Sequence, residues 1–151
     1  MTPAILEIKT DIQIQKTPHE VFEAIVDPTQ MSKYFISKGS DRMEIGKIIT
    51  WKFPEFDIEF PIRVHKIEKD KFISYFWEVD KMDLLVEITL LPTGESSTLV
   101  TVIEKSREND EAGIKWLRQN TEGWANFLAC LKAYLEYGIN LRKGAFDYLK
   151  K

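Results

Sequence analysis

Residues 109–141, NDEAGIKWLRQNTEGWANFLACLKAYLEYGINL, carry the longest helical pattern in the chain. Asn109 and Asp110 can cap its first turn, and the apolar residues after them recur every three or four positions until about Leu141. At a rise of about 1.5 Å per residue, such a helix is about 40 Å long and can cross the whole face of a sheet. The pattern predicts one long C-terminal helix with a broad apolar side.

The start of the chain predicts a strand followed by two short helices. Leu6–Ile14 carries its apolar side chains on even positions with polar ones between them, which is typical of a half-buried strand. Thr17-Pro18-His19-Glu20 then has the pattern of a capping box with proline in the first helical turn. Because a residue before proline avoids the α region, Asp27-Pro28 ends this first helix. The second short helix is expected from Pro28 to Phe35.

The region between these helices and the C-terminal helix predicts a meander of strands. Its β-branched and aromatic runs alternate with turn residues at short spacing. Pro61 interrupts one run, and since proline cannot donate to a strand ladder, we expect an edge, a bulge or a bend there. The chain thus predicts an α+β fold with a curved antiparallel sheet of about seven strands. The six predicted strands of the meander are Asp41–Ile45, Lys47–Phe53, Asp57–Ile67, Phe72–Val79, Leu84–Leu91 and Thr98–Lys105.

The bulk properties restrict the classes of protein. No repeat, linker or low-complexity tract divides the 151 residues, so a single domain over 1–151 is expected. The net charge of -3 leaves no basic footprint for nucleic acid or an anionic membrane. No apolar run approaches the roughly 18 residues of a membrane span. Cys130 is the only cysteine, which excludes an intrachain disulfide and fits a cytoplasmic location.

Two groups of motifs resemble a known superfamily. The first is Thr17-Pro18-His19-Glu20-Val21-Phe22 with Asp27-Pro28 and Lys33-Tyr34-Phe35, and the second is Gly123-Trp124 with the apolar residues up to Glu136. Together with the element order, they resemble the START-like or SRPBCC superfamily, in the branch related to the activator of the heat-shock chaperone's ATPase. The resemblance spans nearly the whole chain and implies the helix-grip fold.

The same comparison shows where the sequence departs from the family pattern. Relatives commonly have tryptophan where Tyr34 stands, and a glycine-rich second strand where this chain has Met43-Glu44-Ile45-Gly46-Lys47. Both positions border the cavity in relatives. The ligand of a relative is therefore not transferred to this chain.

Strand alternation predicts which side chains face the long helix. In Asp57–Ile67 the even positions from Ile58 to Val64 form the expected inner wall, whereas Glu59, Arg63 and His65 face outward. Large apolar side chains usually fill a core, but a strongly curved sheet gripping one helix can leave room for a ligand. The sequence leaves both readings open for each residue. The candidate ligand-binding residues are Phe35, Trp51, Phe53, Phe60, Ile62, Tyr75, Trp77, Trp116, Trp124, Phe127 and Leu131.

The polar residues give no strong catalytic pattern. His65, Glu78 and Tyr75 are the candidates for proton transfer, but His65 and Glu78 are expected in solvent. Arg118 and Asn120 could reach a cavity mouth, although a solvent-facing pair is favoured. We find no nucleophile motif, phosphate-binding glycine loop or metal-spaced cluster, and we predict no cofactor and no metal site.

Three functions remain open from the sequence. The leading one is non-enzymatic binding of a small hydrophobic or aromatic molecule between the sheet and the long helix. The resemblance favours a second, a co-chaperone-like module that contacts a chaperone protein. The third is an enzyme of the cyclase or hydrolase type. A homodimer is compatible with each of these functions.

Overall fold

The computed structural model describes residues 4–150 and shows a seven-stranded antiparallel sheet gripping one long helix. Lys151, the last residue of the single domain expected over 1–151, lies outside the described residues together with residues 1–3. The sheet order is β1-β7-β6-β5-β4-β3-β2. The strands are β1 (Ile5–Ile14), β2 (Lys38–Gly39), β3 (Ile48–Lys52), β4 (Glu59–Glu68), β5 (Phe72–Val79), β6 (Met82–Gly94) and β7 (Ser97–Glu108). The helices are α1 (Pro18–Val26), α2 (Pro28–Met31) and α3 (Glu111–Tyr137), followed by a short 3-10 helix (Asp147–Leu149).

The first helix begins where its capping box predicts. The Thr17 hydroxyl accepts from the Glu20 backbone N–H at 3.2 Å, and the Glu20 carboxylate accepts from the Thr17 N–H at 3.3 Å. Asp27 ends α1 and caps α2 by accepting from the Thr29 N–H at 2.9 Å. The predicted strand and both short helices are confirmed, although α2 ends at Met31 instead of Phe35.

The predicted strand Asp41–Ile45 is wrong. This segment turns away from the sheet, because the Met43 N–H donates to the Val26 carbonyl at 3.0 Å and Gly46 adopts a positive φ of 82°. Met43 is buried beneath it, while Ile45 is 65% exposed. The seventh strand is instead the two-residue β2, which pairs with β3.

The inward-facing side chains of β4 begin later in the chain than the sequence predicted. Ile58, predicted to face inward, precedes the strand and is 58% exposed. From Phe60 onward the alternation holds, with Ile62 and Val64 buried and His65 exposed. Pro61 lies opposite Thr50 of β3, and pairing of β4 with β5 starts only at Arg63. The proline therefore occupies an edge-like part of β4, as expected.

The long helix α3 lies across the sheet and packs chiefly on β1. Asp110 caps it by accepting from the Gly113 N–H at 2.7 Å. Gly138, in the left-handed conformation with φ of 66°, ends it three residues before the predicted Leu141. No helix in residues 4–150 is long and apolar enough to span a membrane. The buried residues of α3 are Gly113, Trp116, Trp124, Phe127, Leu128, Cys130 and Leu131.

Candidate functional site

A pocket of about 370 Å³ opens between the sheet and the first half of α3. It lies beside the start of β4, the end of β5 and the segment that follows α3. We call it the aromatic pocket, because six of its lining residues are phenylalanine or tryptophan. Its lining residues are Phe35, Phe53, Phe56, Phe60, Trp77, Glu78, Val79, Asp80, Gln119, Asn120, Gly123, Trp124 and Arg142.

One wall of the aromatic pocket is a row of phenylalanine rings held edge to face. Phe35 follows α2, and its ring centroid lies 5.1 Å from that of Phe53, with the planes at 78°. Phe53 follows β3 and lies 5.5 Å from Phe60 of β4, at 71°. Edge-to-face pairs of this kind are a favourable ring geometry. Three separate segments thus contribute rings that hold one another in place.

The wall continues from Phe35 to two tryptophans, since the ring centroids of Phe35 and Trp124 are 6.4 Å apart, and the indole N–H groups of both tryptophans point to the same carboxylate. Trp77 extends from β5 and Trp124 from α3, and their ring centroids are 5.6 Å apart. The indole N–H of Trp77 donates to Glu104 Oε2 at 2.6 Å, and that of Trp124 donates to Glu104 Oε1 at 3.2 Å. Glu104 therefore ties the sheet to the helix behind the pocket wall.

Glu104 is a fully buried acidic residue, with 0% of its surface exposed. It lies on β7 at the same alternation as Val100 and Val102, which are also fully buried. Asn120 supplies a third donor, its side-chain amide lying 3.0 Å from Oε1. In residues 4–150, no lysine, arginine or histidine nitrogen lies within 4 Å of the carboxylate. Three neutral N–H groups thus offset the cost of burying it.

The buried environment also acts on Tyr75. Its removal from water, and secondly the nearby Glu104 carboxylate, raise the pKa of the Tyr75 hydroxyl well above its ordinary value. The phenol therefore stays protonated at neutral pH. Tyr75 packs edge-on against Trp51 and Trp77, with centroids 5.3 and 5.7 Å away.

The rim of the aromatic pocket is closed on one side by Arg142, which lies beyond the end of α3. Its guanidinium forms two hydrogen bonds with the Glu55 carboxylate, at 2.6 and 3.0 Å. It also lies over the rings of Phe53 and Phe146, at 5.5 and 5.0 Å from their centroids. Because the Glu55 side chain is only 3% exposed, this pair is shielded from water. We refer to Arg142 and Glu55 as the latch.

The eleven predicted ligand-binding residues divide into three groups in the structure. Five of them line the aromatic pocket, and Phe127 lines a neighbouring pocket of about 240 Å³. The others are buried in the core and line neither of these pockets. The five that line the aromatic pocket are Phe35, Phe53, Phe60, Trp77 and Trp124. The five in the core are Trp51, Ile62, Tyr75, Trp116 and Leu131.

Of the polar candidates, three are exposed and one points inward. His65 is exposed and packs against Phe76, and Glu78 is exposed at the pocket rim, so neither is placed for buried proton transfer. Arg118 is exposed as expected. Asn120, expected to face solvent, instead turns inward because Glu104 accepts its amide hydrogen bond.

The sequence reasoning missed the two charged residues that organise the site. For Glu104 a signal existed, since it occupies an inward position in Thr98–Lys105, where a charged residue needs a buried partner. Arg142 lies in an irregular segment after α3, where no periodicity predicts the direction of a side chain. In the part of the chain that the structure describes, no group of three metal-binding side chains was found.

A curved antiparallel sheet that grips one long C-terminal helix is the helix-grip fold of START-like proteins. Within this class, the chain belongs to the family described as Activator of Hsp90 ATPase homolog 1-like protein, whose family model matches residues 15–136. The resemblance inferred from the opening and closing motifs is thereby confirmed.

Solved structures show the same fold. The protein SSP2350 from Staphylococcus saprophyticus is 33% identical over 91% of this chain and 96% of its own, with a TM-score of 0.78. DynU16, a protein in the dynemicin biosynthetic locus, is 25% identical over 89% of this chain but 48% of its own, with a TM-score of 0.77.

A third structure, the Aha1 dimer from Colwellia psychrerythraea, is 21% identical over 88% of this chain and 98% of its own, with a TM-score of 0.75. At that identity it shows the shared fold alone. No curated protein matches this chain.

Proposed function

We propose that this protein binds a small apolar or aromatic molecule in the aromatic pocket, without catalysing a reaction on it. The observation that carries the proposal is the set of aromatic side chains around an open volume of about 370 Å³. Ligand pockets in proteins typically measure about 300–1,000 Å³ and are mostly apolar with a few polar groups. Volume and wall chemistry both fit a small organic ligand.

The polar groups of the aromatic pocket support binding more than catalysis. All three N–H contacts of Glu104 hold the wall together, and its 0% exposure leaves no surface for direct proton transfer to a ligand. Arg142 is engaged by the Glu55 carboxylate. The donors of the pocket wall are therefore engaged by carboxylates of the protein itself, and the surface that remains for a ligand is mainly aromatic.

Gly123 offers a direct way to test the proposal. It lies on α3 in the pocket lining, and a Cβ added there meets no atom within 4 Å. Gly123→Leu should therefore place its side chain in the pocket and exclude a ligand without disturbing the core. Gly123→Ala is the matched control, because it makes the same backbone change and leaves most of the volume open.

The experiment combines a thermal-shift screen of small aromatic and apolar compounds with native mass spectrometry. A ligand that binds only the folded protein raises its melting temperature. We expect the parent protein and Gly123→Ala to respond to the same compounds, and Gly123→Leu to lose the response. If no compound shifts the melting temperature of the parent protein, or if Gly123→Leu responds equally, the proposal is wrong.

The family match favours a second candidate, contact with a chaperone protein. Exposed apolar residues such as Ile45 and Ile48, which are 65% and 69% exposed, are the kind of surface such contact needs. A pull-down with the heat-shock chaperone tests it, with Ile48→Lys as the variant expected to lose binding.

The Aha1 dimer of Colwellia psychrerythraea makes self-association a related candidate. Size-exclusion chromatography with light scattering would detect it.

A further inference from the structure

The charged groups around the aromatic pocket leave an uncompensated negative charge. Two of its lining residues belong to ion pairs, Asp80 with Arg107 at 2.9 Å and Arg142 with the buried Glu55 at 2.6 Å. These pairs cancel to a first approximation. Glu104, behind the wall, has no salt-bridge partner within residues 4–150.

Burial makes the charge of Glu104 effective at the pocket. A charge removed from water is screened far less than one at the surface, so its field extends through the wall. Glu78 at the rim adds the same sign, although its exposure weakens its effect. The interior of the aromatic pocket is therefore favourable for a positive charge and unfavourable for a negative one.

Trp77 and Trp124 connect the buried Glu104 carboxylate to the surface of the pocket, where a cation would be favoured. Both indole N–H groups donate to the one carboxylate, at 2.6 Å for Trp77 and 3.2 Å for Trp124. Hydrogen bonds to a charged acceptor polarise the donor, which shifts electron density from the N–H edge into the ring. Tryptophan is already the best aromatic partner for a cation. Because both indoles line the pocket and donate to one carboxylate, a cation beside them is favoured over a neutral group.

We propose that the ligand of the aromatic pocket is an organic cation, with an apolar or aromatic body and a quaternary ammonium or protonated amine head. This inference rests on the proposed binding function and specifies the chemical class of its ligand. The head lies against the indoles of Trp77 and Trp124, in the field of Glu104. The apolar body lies against the rings of Phe35, Phe53 and Phe60.

Three probes of nearly equal shape separate charge from size. Benzyltrimethylammonium is the cation, neopentylbenzene its neutral isostere, and phenylmethanesulfonate an anion with a tetrahedral head. Affinities are measured by quenching of tryptophan fluorescence and by calorimetry. We expect the cation to bind at least about fivefold more tightly than the neutral isostere, which is the usual strength of a cation–π contact. The anion should bind more weakly than either.

Glu104→Gln tests the source of the preference. It keeps the shape of the side chain and removes the charge, so the ratio of cation to neutral affinity should fall towards one while neopentylbenzene still binds. Glu78→Gln should lower the ratio by a smaller factor, and it carries the test if melting curves show that Glu104→Gln is unfolded. Glu44→Gln, outside the pocket lining, is the control and should keep the parent ratio.

The outcomes separate the two proposals. If neopentylbenzene binds as tightly as the cation, or the sulfonate more tightly, the cation inference is wrong and the binding function stands. An unchanged ratio in a folded Glu104→Gln also overturns the inference. If none of the three probes binds and the compound screen is negative as well, both proposals fail together.

Discussion

Trp116 and Trp124 lie about two turns apart on α3 and are 1% and 3% exposed. They differ in whether the indole N–H has a hydrogen-bond acceptor. The Trp124 indole N–H donates to Glu104 in the wall of the aromatic pocket. The Trp116 indole N–H has no hydrogen-bond partner in the part of the chain that the structure describes. The same residue type on one helix thus serves close packing at one position and an organised polar wall at the other.

The sheet shows the same difference between residues packed in the core and residues that line the pocket. Tyr75 and Trp77 are two residues apart on β5, yet Tyr75 is buried in the core while Trp77 is half-buried and lines the aromatic pocket. Alternation puts both side chains on the concave face. Distance along the strand then determines whether α3 covers the side chain or leaves space. Facing inward is therefore necessary for contact with a ligand but does not establish it.

The largest effect is expected at Glu104. Glu104→Ala leaves the N–H groups of Trp77, Trp124 and Asn120 without their acceptor, and buried unsatisfied donors cost about 1–3 kcal/mol each. We expect the free energy of unfolding to fall by about 3–5 kcal/mol, measured by urea denaturation. Glu87→Ala, which removes the partly exposed partner of Lys105, is the control and should cost less than about 1 kcal/mol. A loss at Glu104 as small as that of the control would show that the pocket wall does not depend on the carboxylate.

A matched pair of truncations tests the division between core and pocket. Leu131 is fully buried, so Leu131→Ala should create a cavity and cost about 3 kcal/mol. Phe60 is half-buried and lines the aromatic pocket, so Phe60→Ala should cost only about 1 kcal/mol. Binding should show the opposite order, with Phe60→Ala weakening benzyltrimethylammonium and Leu131→Ala leaving its affinity nearly unchanged. Equal losses of stability at the two positions would contradict the division.

The elements with local sequence signals were predicted well. The capping box at Thr17 and Glu20 fixes the start of α1, and three-and-four spacing gives the buried side of α3, because both patterns depend on residues close in sequence. Asp41–Ile45 was wrong because a hydrogen bond from Met43 to Val26, distant in sequence, determines its path. Local alternation carries no information about such a contact.

The candidate site was predicted only in part. Alternation placed Phe60 and Trp77 on the inner face, which is correct, but it gave the same result for Ile62 and Tyr75 in the core. The separation depends on how α3 and the segment after it cover the sheet, which is a tertiary property. The latch shows this most clearly, since Glu55 and Arg142 are 87 residues apart and meet only in the folded protein.

Breaking the latch should lower the free energy of unfolding by an intermediate amount. Arg142→Met keeps an apolar stem but leaves the Glu55 carboxylate, 3% exposed, without its two donors. We expect the free energy of unfolding to fall by about 2 kcal/mol, with faster ligand association in stopped-flow fluorescence because the rim is less closed. The double variant with Glu55→Gln should recover part of the stability, since the unpaired charge is gone. If the double variant is less stable than the sum of the single variants predicts, the latch is not a pair.

The last comparison is between two glycines of α3, and Gly123→Ala has the smallest expected effect of all the changes. Gly113 lies at the closely packed end, where an added Cβ would be 1.9 Å from the Glu108 carbonyl oxygen, whereas at Gly123 it would meet nothing within 4 Å. Gly113→Ala must displace backbone and should destabilise the protein. Gly123→Ala should stabilise it by about 0.5–1 kcal/mol, because alanine has the higher helix propensity and the site has room. Thermal and urea denaturation show whether each variant is more or less stable than the parent protein. A loss of stability at Gly123 would mean that a side chain there meets packed atoms, and the open volume beside α3 would then be absent from the folded protein.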